Sequence, residues 1–428
     1  MSATTREKPM VIIIGAGLSG LLLGVLLDQI DIPYHIYERA KEIRPLGSAL
    51  TLGASILPVF EQLGLLEELY SISLPLITAE LYDANIQKIG GVDGTNHKAA
   101  VGYNNILFAR PKLYELLFKR IPTAKITLGK KIARTEEKDG KVHIFCSDDT
   151  TFQGDILVGA DGTYSAVRQS LYELLREQNI LPKVDQESLA VGYLSVVGVA
   201  EPKDPVKYPQ LKDNFSHFSK VLGKDNRSWG AYSVAENKIC WSVTYQLSTA
   251  EANVRFRRAE WNAEANETIL REFRDLPSPW GGTMGDLFDI SRKENISKVF
   301  LQEKLFKTWY HGRTVLAGDA CHPMLPGAGA GAVNAMQDSV VLANYLFNMP
   351  DSSPESITAA FEGYYKQRHH RAGNDIERSK AMTKLTNGQR TEVLAMFYHK
   401  KASEEKFHTI SDVAEMVLTV HCSRRYSK

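Results

Sequence analysis

Cysteine is scarce in this chain of 428 residues, which contains only Cys146, Cys240, Cys321 and Cys422. The four lie far apart and none belongs to a CxxC pair. The sequence therefore has neither a zinc-ligand pattern nor the framework of a disulfide-rich scaffold. We predict no metal site, and we expect a reducing compartment, the cytoplasm, as the location.

Long apolar runs and an excess of charge are also absent. No stretch of about 20 apolar residues is present, so no transmembrane helix is predicted, and residues 1–9 lack the apolar core of a secretory signal. The net charge is +1, which gives no reason to expect nucleic acid or an anionic membrane as a partner. With 43% hydrophobic residues, the composition is that of an ordinary globular protein, and the length favours two domains.

The N-terminal region carries the pattern of a strand, a glycine-rich turn, a helix and a second strand. Residues 10–14, MVIII, form a short continuous apolar run, as expected of a buried parallel strand. The turn GAGLSG follows at 15–20, and the apolar segment LLLGVLLDQI predicts a helix. The segment 33–38 predicts the next strand. Together these elements predict a β-turn-α-β unit that binds a dinucleotide.

The glycines of this turn have separate predicted roles. Gly15 permits the tight turn, Gly17 lets the backbone approach a pyrophosphate, and Gly20 lets the helix pack closely on the strand. Free N–H groups at the helix N-terminus then face the phosphates. Glu38 ends the second strand, where a carboxylate accepts ribose hydroxyls and disfavours a 2′-phosphate. The resident dinucleotide is therefore not NADP, but this motif alone does not separate FAD from NAD, and a glycine-rich turn without a ligand is the alternative.

The remaining pattern alternates between buried strands, helices and a sheet-like middle segment. Nucleotide-binding patterns occur near residues 15, 161 and 319, whereas the alternating strands between 185 and 245 carry none. The other predicted elements are a helical stretch at 57–70, a hairpin at 131–145 that turns at Asp139-Gly140, strands at 155–160 and 313–319, and helices at 166–175, 248–275, 331–348 and 354–372.

Three further motifs carry a resemblance to a known family. GADGTYSAVR at 159–168, LAGDACHPMLPGAGAGAVNAMQD at 316–338 and RPKLYELL at 110–117 follow GAGLSG in the chain. In order and spacing, the four resemble the motifs of class A FAD-dependent monooxygenases, the p-hydroxybenzoate hydroxylase-like flavoprotein hydroxylases. The match runs from about residue 10 to 372. It is most similar to the fungal enzymes of secondary metabolism.

The resemblance implies an α/β fold with a discontinuous cofactor domain. We expect a Rossmann-like FAD-binding domain of the GR2 type at 8–184 and 291–372. An inserted, mostly antiparallel β-sheet substrate domain is expected at 185–290, and a C-terminal helical segment at 373–428.

The resemblance also implies roles for individual residues. Asp319 is expected to bind the ribityl hydroxyls of FAD, Arg110 to lie along its phosphates, and Asp161 with Gly162 to serve both FAD and NAD(P)H. The turn before residue 332 is expected beside the isoalloxazine ring. The full predicted FAD set is Gly15, Gly17, Leu18, Ser19, Gly20, Glu38, Arg39, Thr51, Arg110, Asp161, Gly162, Asp319, Pro326, Gly329, Gly331 and Ala332.

Several residues of the same motifs have structural predictions instead. Cys321 stands where the family usually has alanine, so we expect it to be buried and without a redox role. His322 is expected to be a structural histidine, and Asn334 and Asp338 to cap and orient their helix. Arg168 is either a surface cation or part of an ion pair. Two departures, Ala328 and Ala330, replace residues that are often glycine or glutamine, which would alter the flavin side of the pocket.

The implied reaction consumes NADPH or NADH and O2. In the family, reduced FAD adds O2 at C4a, and the C4a-hydroperoxyflavin transfers one oxygen atom to the substrate. An apolar or aromatic small molecule would be hydroxylated or epoxidised. The sequence leaves two alternatives open: a reductase or dehydrogenase of the same fold without oxygen insertion, and a non-catalytic FAD-binding protein.

Aromatic residues in the middle segment supply the candidate substrate pocket. Trp229, Trp241 and Tyr245 are predicted to line it, with ordinary sheet core as the alternative. Tyr232 is the candidate catalytic base for a phenol, whereas epoxidation of an alkene needs no base. The sequence does not choose between these substrates, and it does not give the oligomeric state.

Overall fold

A computed structural model describes residues 8–42, 47–204, 206–248 and 263–386 of the chain. The strands are β1 (Val11–Ile14), β2 (Tyr34–Glu38), β3 (Ala49–Leu52), β4 (Leu74–Asp83), β5 (Lys88–Asp93), β6 (Ile106–Ala109), β7 (Ile126–Leu128), β8 (Ile132–Lys138), β9 (Lys141–Cys146), β10 (Thr151–Gly154), β11 (Ile156–Gly159), β12 (Ala190–Ala200), β13 (Ser216–Leu222), β14 (Arg227–Val234), β15 (Lys238–Gln246), β16 (Ser297–Glu303), β17 (Tyr310–His311) and β18 (Thr314–Leu316). The α-helices are α1 (Leu18–Gln29), α2 (Leu57–Gln62), α3 (Leu66–Ser71), α4 (His97–Val101), α5 (Arg110–Phe118), α6 (Ala166–Glu177), α7 (Lys183–Gln186), α8 (Ala263–Phe273), α9 (Met284–Asp289), α10 (Gly331–Asn348) and α11 (Pro354–Thr386).

A six-stranded, mostly parallel sheet forms the centre of the cofactor domain. Its strand order is β17-β18-β11-β1-β2-β7, and only the β17–β18 pair is antiparallel. The three strands that carry the sequence motifs at their ends, β1, β11 and β18, are adjacent. Because they run parallel, their carboxyl ends meet at one edge of the sheet. The predicted α/β class is confirmed.

Burial explains why α1 has no polar face. Every residue of this helix except Asp28 is buried, because the helix packs between the parallel sheet and α10. A helix that is apolar all round is the pattern expected when both sides are covered. The predicted hairpin is also confirmed as β8 and β9, with Asp139 and Gly140 both at positive φ as a tight two-residue turn requires.

A nine-stranded sheet forms the second layer of the molecule. Its path is β16-β12-β15-β14-β13-β4-β6-β3, with β5 paired to β4, and only the β4–β13 pair is parallel. The strands predicted between 185 and 245 are β12 to β15 of this sheet. Four others, β3 to β6, come from residues 49–109, and β16 lies at 297–303. The sheet thus contains strands from all three of the ranges 8–184, 185–290 and 291–372. The predicted domain boundaries themselves stay a prediction.

The two faces of this sheet have different neighbours. Trp229, Trp241 and Tyr245 lie on the face that packs against α8 and α9, in one core cluster with Phe273 and Phe288. The side chains on the opposite face include Phe218, Lys220, Tyr232, Cys240 and Ser242. The two tryptophans and Tyr245 are therefore part of the sheet core, which is the alternative that the sequence left open, and their role in lining a substrate pocket stays a prediction.

The C-terminal part of the described chain is helical. Helix α11 spans 33 residues and continues through residue 372 without a break, so the segment predicted to begin at 373 starts inside it. Residues 387–428, and residues 249–262 of the helix predicted at 248–275, lie outside the described residues. The stretch predicted as one helix at 57–70 forms α2 and α3, which are separated at Gly64. Within the described ranges, no helix has the length and apolar character that a membrane crossing needs.

Candidate FAD site

The β1–α1 turn has the geometry that a pyrophosphate site requires. Gly15 has φ +101, and a Cβ on it would lie 2.5 Å from the carbonyl oxygen of Ala160, so only glycine suits this position. Gly17 is the N-cap of α1, no side chain caps the helix, and a Cβ on Gly17 would have nothing within 4 Å. The turn therefore presents free helix N–H groups to open space.

The other predicted residues of α1 contribute through their backbone. Leu18 and Ser19 are buried, and the hydroxyl of Ser19 lies 3.0 Å from that of Ser339 in α10. Ser339 also donates to the carbonyl oxygen of Ser19 at 2.8 Å. The side chain of Ser19 thus joins the two helices, and its N–H remains in the uncapped first turn.

Glu38 closes the same turn from the end of β2. Its Oε2 accepts from the N–H of Ala16 at 2.8 Å, and its Oε1 accepts from the N–H of Ala40 at 2.8 Å. Each carboxylate oxygen has a second lone pair, so the group retains acceptor capacity for hydroxyls. Glu38 is only partly buried, and the neighbouring Arg39 is exposed.

The loop after β11 is organised around Asp161. This carboxylate accepts from the hydroxyl of Ser165 at 2.5 Å and from the N–H of Ala166 at 2.7 Å. It therefore caps α6, and burial raises the pKa of its carboxyl group. Gly162 follows with φ +80. A direct contact between Asp161 or Gly162 and a cofactor stays a prediction.

Arg168 connects the loop after β11 to the loop after β18. Its side chain is buried and donates to the carbonyl oxygen of Thr163 at 2.7 Å and to that of Ala320 at 2.6 Å. The guanidinium also stacks 4.3 Å from the ring of Phe306. Neither sequence alternative, a surface cation or an ion pair, describes this residue, because its partners are backbone carbonyls.

The Asp319 side chain has accessible surface, but the protein around it partly shields its carboxyl group from water. The side chain is exposed, yet the protein surrounding it raises the pKa of its carboxyl group, against the opposing effects of His322 and Arg110. No hydrogen-bond or ion-pair partner of this carboxylate occurs among the described residues. A recessed, accessible and unpartnered acid is suited to accept hydroxyl hydrogen bonds.

The segment from Pro326 to Ala332 presents a second helix N-terminus. A short turn of 3₁₀ helix over Pro326–Ala328 leads to Gly329 at φ +63, and α10 then begins at Gly331 without a side-chain cap. Pro326 and Gly329 are exposed, and Gly331 and Ala332 are partly exposed. The N–H groups of this first turn are therefore available to stabilise negative charge.

A buried charge network fixes the loop between β18 and α10. Asp338 Oδ2 lies 2.5 Å from His322 Nε2 and accepts from the N–H of Gly318 at 2.8 Å. Its Oδ1 accepts from Arg368 Nε of α11 at 2.7 Å. Burial would raise the pKa of Asp338, but His322 and Arg368 outweigh it and lower the pKa to about 2. The structural role predicted for His322 and Asp338 agrees with these contacts.

This network does not suit a metal ion. Ligand atoms of Cys321, His322 and Asp338 lie within 4.8 Å of one another. Both oxygens of Asp338, however, already bind donors, one of which is the guanidinium of Arg368. Asn334 completes the cluster, since its Oδ1 accepts from Arg368 at 2.7 Å. Cys321 is buried, as predicted, and burial raises the pKa of its thiol.

Two predicted residues approach the site from the nine-stranded sheet. Arg110 begins α5 directly after β6, is exposed, and lies close enough to Asp319 to lower the pKa of that carboxyl. Thr51 lies in β3 opposite Leu107. Gln337 of α10 donates to the carbonyl oxygen of Ser55 at 3.1 Å, which places the residues after β3 beside α10.

Several of the predicted residues lie around the adjacent ends of β1, β11 and β18, and their chemistry fits FAD. Gly17 leaves the room that a Cβ would fill, the N-termini of α1 and α10 offer free N–H groups, and Asp319 is an unpartnered acceptor. Phosphates suit the first helix, ribityl hydroxyls suit Asp319, and a ring that gains negative charge suits the second helix.

On the face of the nine-stranded sheet opposite α8 and α9, Tyr232 belongs to a polar group whose other members, Ser242 and Lys220, were not predicted from the sequence. The Tyr232 hydroxyl lies 2.7 Å from Ser242 Oγ, and Lys220 Nζ donates to the same Oγ at 3.4 Å. Burial raises the pKa of Tyr232 to about 12. No local sequence pattern points to Lys220, because its neighbours Gly230 and Ser242 belong to other strands.

Comparison with known proteins agrees with this geometry. The family model described as "FAD binding domain" matches residues 8–379. The FAD-dependent monooxygenase esdpE of Penicillium shearii is 28% identical over 405 residues, which cover 90% of this chain and 79% of the relative. The FAD-dependent monooxygenase paxM of Penicillium paxilli is 29% identical over 401 residues, which cover 89% of this chain and 79% of the relative.

Solved structures share the fold. HpxO of Klebsiella pneumoniae, solved with FAD and uric acid, superposes with a TM-score of 0.73 at 21% identity, covering 95% of this chain and 96% of the other. The 2,6-dihydroxypyridine-3-hydroxylase of Arthrobacter nicotinovorans superposes with a TM-score of 0.72 at 19% identity, covering 90% and 95%.

Alanine substitutions at two glycines are expected to affect FAD binding and protein stability separately. Alanine at Gly17 has space and an allowed φ of −73, so Gly17→Ala is expected to fold normally but to bind FAD weakly, because the Cβ enters the phosphate approach. Alanine at Gly20 would overlap the carbonyl oxygen of Gly15 and is expected to cost about 1–3 kcal/mol of stability. Thermal melts and FAD titration of the apoprotein measure both, and wild-type FAD affinity in Gly17→Ala would contradict the assignment.

Asp319→Ala tests the ribityl acceptor. Loss of a charged hydrogen-bond acceptor is expected to weaken FAD binding by about 10- to 100-fold, whereas Asp319→Asn, which keeps an acceptor oxygen, loses less. The measurement is the FAD dissociation constant from flavin fluorescence, with the exposed Glu294→Ala as matched control. An Asp319→Ala protein that purifies with a full complement of FAD would refute the role.

Proposed function

This chain belongs to the FAD binding domain family, and from that premise we propose that it is an FAD-dependent monooxygenase. Its proposed co-substrates are NAD(P)H and O2, and its proposed substrate is an apolar or aromatic small molecule that it hydroxylates or epoxidises. The names of its fungal relatives support the monooxygenase activity.

One feature of the structure supports the proposal independently of the named relatives. The uncapped N-termini of α1 and α10 open at the same sheet edge as the unpartnered carboxylate of Asp319. Contact between the helices through Ser19 and Ser339 fixes their spacing. A site with separate positions for phosphate, polyol and electron-accepting ring matches FAD.

Each group of residues has its own task when FAD is bound. Bound flavin supplies hydride acceptance and O2 activation. The first turn of α1 holds the phosphates, with Glu38 beside it for ribose, and Asp319 and Arg110 hold the middle of the molecule. The N–H groups at Gly331 and Ala332 stabilise negative charge on the ring. The nine-stranded sheet supplies a wall that excludes water and positions the substrate.

The surroundings of Tyr232 argue against its proposed role as the catalytic base. A phenol whose pKa is raised to about 12 exists as the neutral hydroxyl at neutral pH, so it donates or relays a hydrogen bond rather than removing a proton. Tyr232 is therefore proposed as a hydrogen-bonding residue through Ser242. The proposal does not choose between NADPH and NADH, and both remain candidate co-substrates.

The test is made on purified protein. We expect a flavin absorption spectrum, and we expect NADH or NADPH oxidation and O2 uptake to be stimulated together by members of a panel of phenols and polycyclic alkenes. NAD(P)H oxidation that needs no O2 would favour a reductase. A flavin-loaded protein that oxidises neither cofactor with any substrate would favour a non-catalytic role, and either outcome would overturn the monooxygenase proposal.

A further inference from the structure

Lys220 is an enclosed cation without an acidic partner. Its side chain keeps some accessible surface, yet no carboxylate pairs with it among the described residues, and its one hydrogen-bond acceptor is Ser242 Oγ at 3.4 Å. Surface lysines of this chain, by contrast, commonly have carboxylate partners, as Lys88 does with Glu80. Enclosing a charge without an opposite charge costs free energy, which an anionic group at this position would offset.

The backbone of three strands builds the space around this cation. Lys220 of β13, Gly230 of β14 and Ser242 of β15 lie side by side in register. Because Gly230 has no side chain, the lysine reaches across it to Ser242. The Tyr232 hydroxyl fills part of the same gap, since a Cβ on Gly230 would lie 2.7 Å from that oxygen. Any larger residue at 230 would separate the three polar groups.

Apolar side chains surround the polar group on the same face. Phe218 stacks on Tyr232 with ring centroids 4.3 Å apart. Leu81 lies beside Lys220 on β4, and Val197 lies beside Ser242 on β12. Phe218 and Val197 are only partly buried, so apolar surface remains uncovered next to the cation. A flat ring with one ionisable oxygen has the matching chemistry.

The same face leads to the cofactor site. Tyr232 belongs to one cluster with Leu107 and Ala109 of β6, and the next residue, Arg110, is the one that lowers the pKa of Asp319. Lys112, in the first turn of α5, binds Glu236 in the β14–β15 hairpin at 2.6 Å. The polar group is thus on the side of the sheet that the cofactor site adjoins, whereas Trp229 and Trp241 lie on the other side.

We propose that Lys220, oriented by Ser242 and Tyr232, is the subsite for the ionisable hydroxyl of a phenol or enol substrate, which it binds as an oxyanion. This inference rests on the proposed monooxygenase function and names its substrate class. On binding, the substrate O–H bond breaks, its proton passes to water, and the phenolate remains paired with the ammonium of Lys220.

Ionising the substrate hydroxyl changes the reactivity of the carbon atom that is oxidised. Ionising the hydroxyl raises the electron density of the ring or double bond, which favours attack on an electrophilic oxygen. Burial lowers the pKa of Lys220 to about 8, so the ammonium form still predominates at neutral pH and can pair with the oxyanion. An isolated alkene gains nothing from this group, so hydroxylation of a phenol or enol is favoured over epoxidation.

The experiment measures binding to the FAD-loaded enzyme without NAD(P)H, so it does not depend on turnover. Equilibrium dialysis compares 1-naphthol with 1-methoxynaphthalene, which lacks the ionisable proton. We expect the wild type to prefer 1-naphthol by about tenfold or more. We also expect Lys220→Met to remove that preference without changing the affinity for the ether, and Lys220→Arg to retain it.

A spectroscopic readout and controls separate recognition from folding. Bound 1-naphthol is expected to show naphtholate absorption in the wild type and neutral naphthol absorption in Lys220→Met. Lys224→Met, an exposed lysine in the same hairpin, is the matched control and should behave as wild type. If Lys220→Met fails to retain FAD, Lys220→Gln and Ser242→Ala undergo the same test.

The outcomes distinguish this inference from the proposed function. A wild type that binds neither probe, or binds both equally, overturns the oxyanion subsite, as does a Lys220→Met enzyme that keeps the preference. Substrate-stimulated NAD(P)H and O2 consumption alongside either result would leave the monooxygenase function standing. Preference for 1-naphthol without any O2 consumption would retain the subsite and reject the function.

Discussion

The buried carboxylate of Asp338 is the interaction on which the cofactor site depends. It lies among His322, the N–H of Gly318 and the guanidinium of Arg368, and with a pKa lowered to about 2 it stays ionised. Through these contacts it joins the strand end at Gly318, helix α10 and helix α11. Asp319 and the first turn of α10 lie on either side of this network, so their positions follow from it.

Two charged side chains without an ion-pair partner mark the ends of the proposed active site. Asp319 is the proposed partner of the polyol and Lys220 that of the substrate oxyanion, and neither has an ion-pair partner among the described residues. Most other buried charges are matched, as Arg168 is by two carbonyls and Arg368 by Asp338. Because a charge without a partner is costly where water is excluded, these two groups are the candidates to bind ligands.

The motifs were predictable from the sequence because they encode short-range geometry. The turn at Gly15, the acid at Glu38 and the start of α10 follow from local backbone constraints. The membership of β3 to β6 in the second sheet was not predictable, since it depends on pairing between distant segments. The period-2 pattern placed Trp241 and Tyr245 together but could not tell which face carries the helices. Lys220 escaped for the same reason: its meaning depends on Gly230 and Ser242 across two strands.

The most direct test of the account is the FAD affinity of Asp338→Asn, which keeps the size of the side chain and removes its charge. Because Arg368 would then be a buried cation without its partner, we predict a loss of stability of about 3–5 kcal/mol. In the protein that remains folded by circular dichroism, we also predict FAD binding at least about tenfold weaker than wild type. The exposed Asp289→Asn serves as control. A folded Asp338→Asn protein with wild-type FAD affinity would contradict the claim that this carboxylate holds the cofactor site in place.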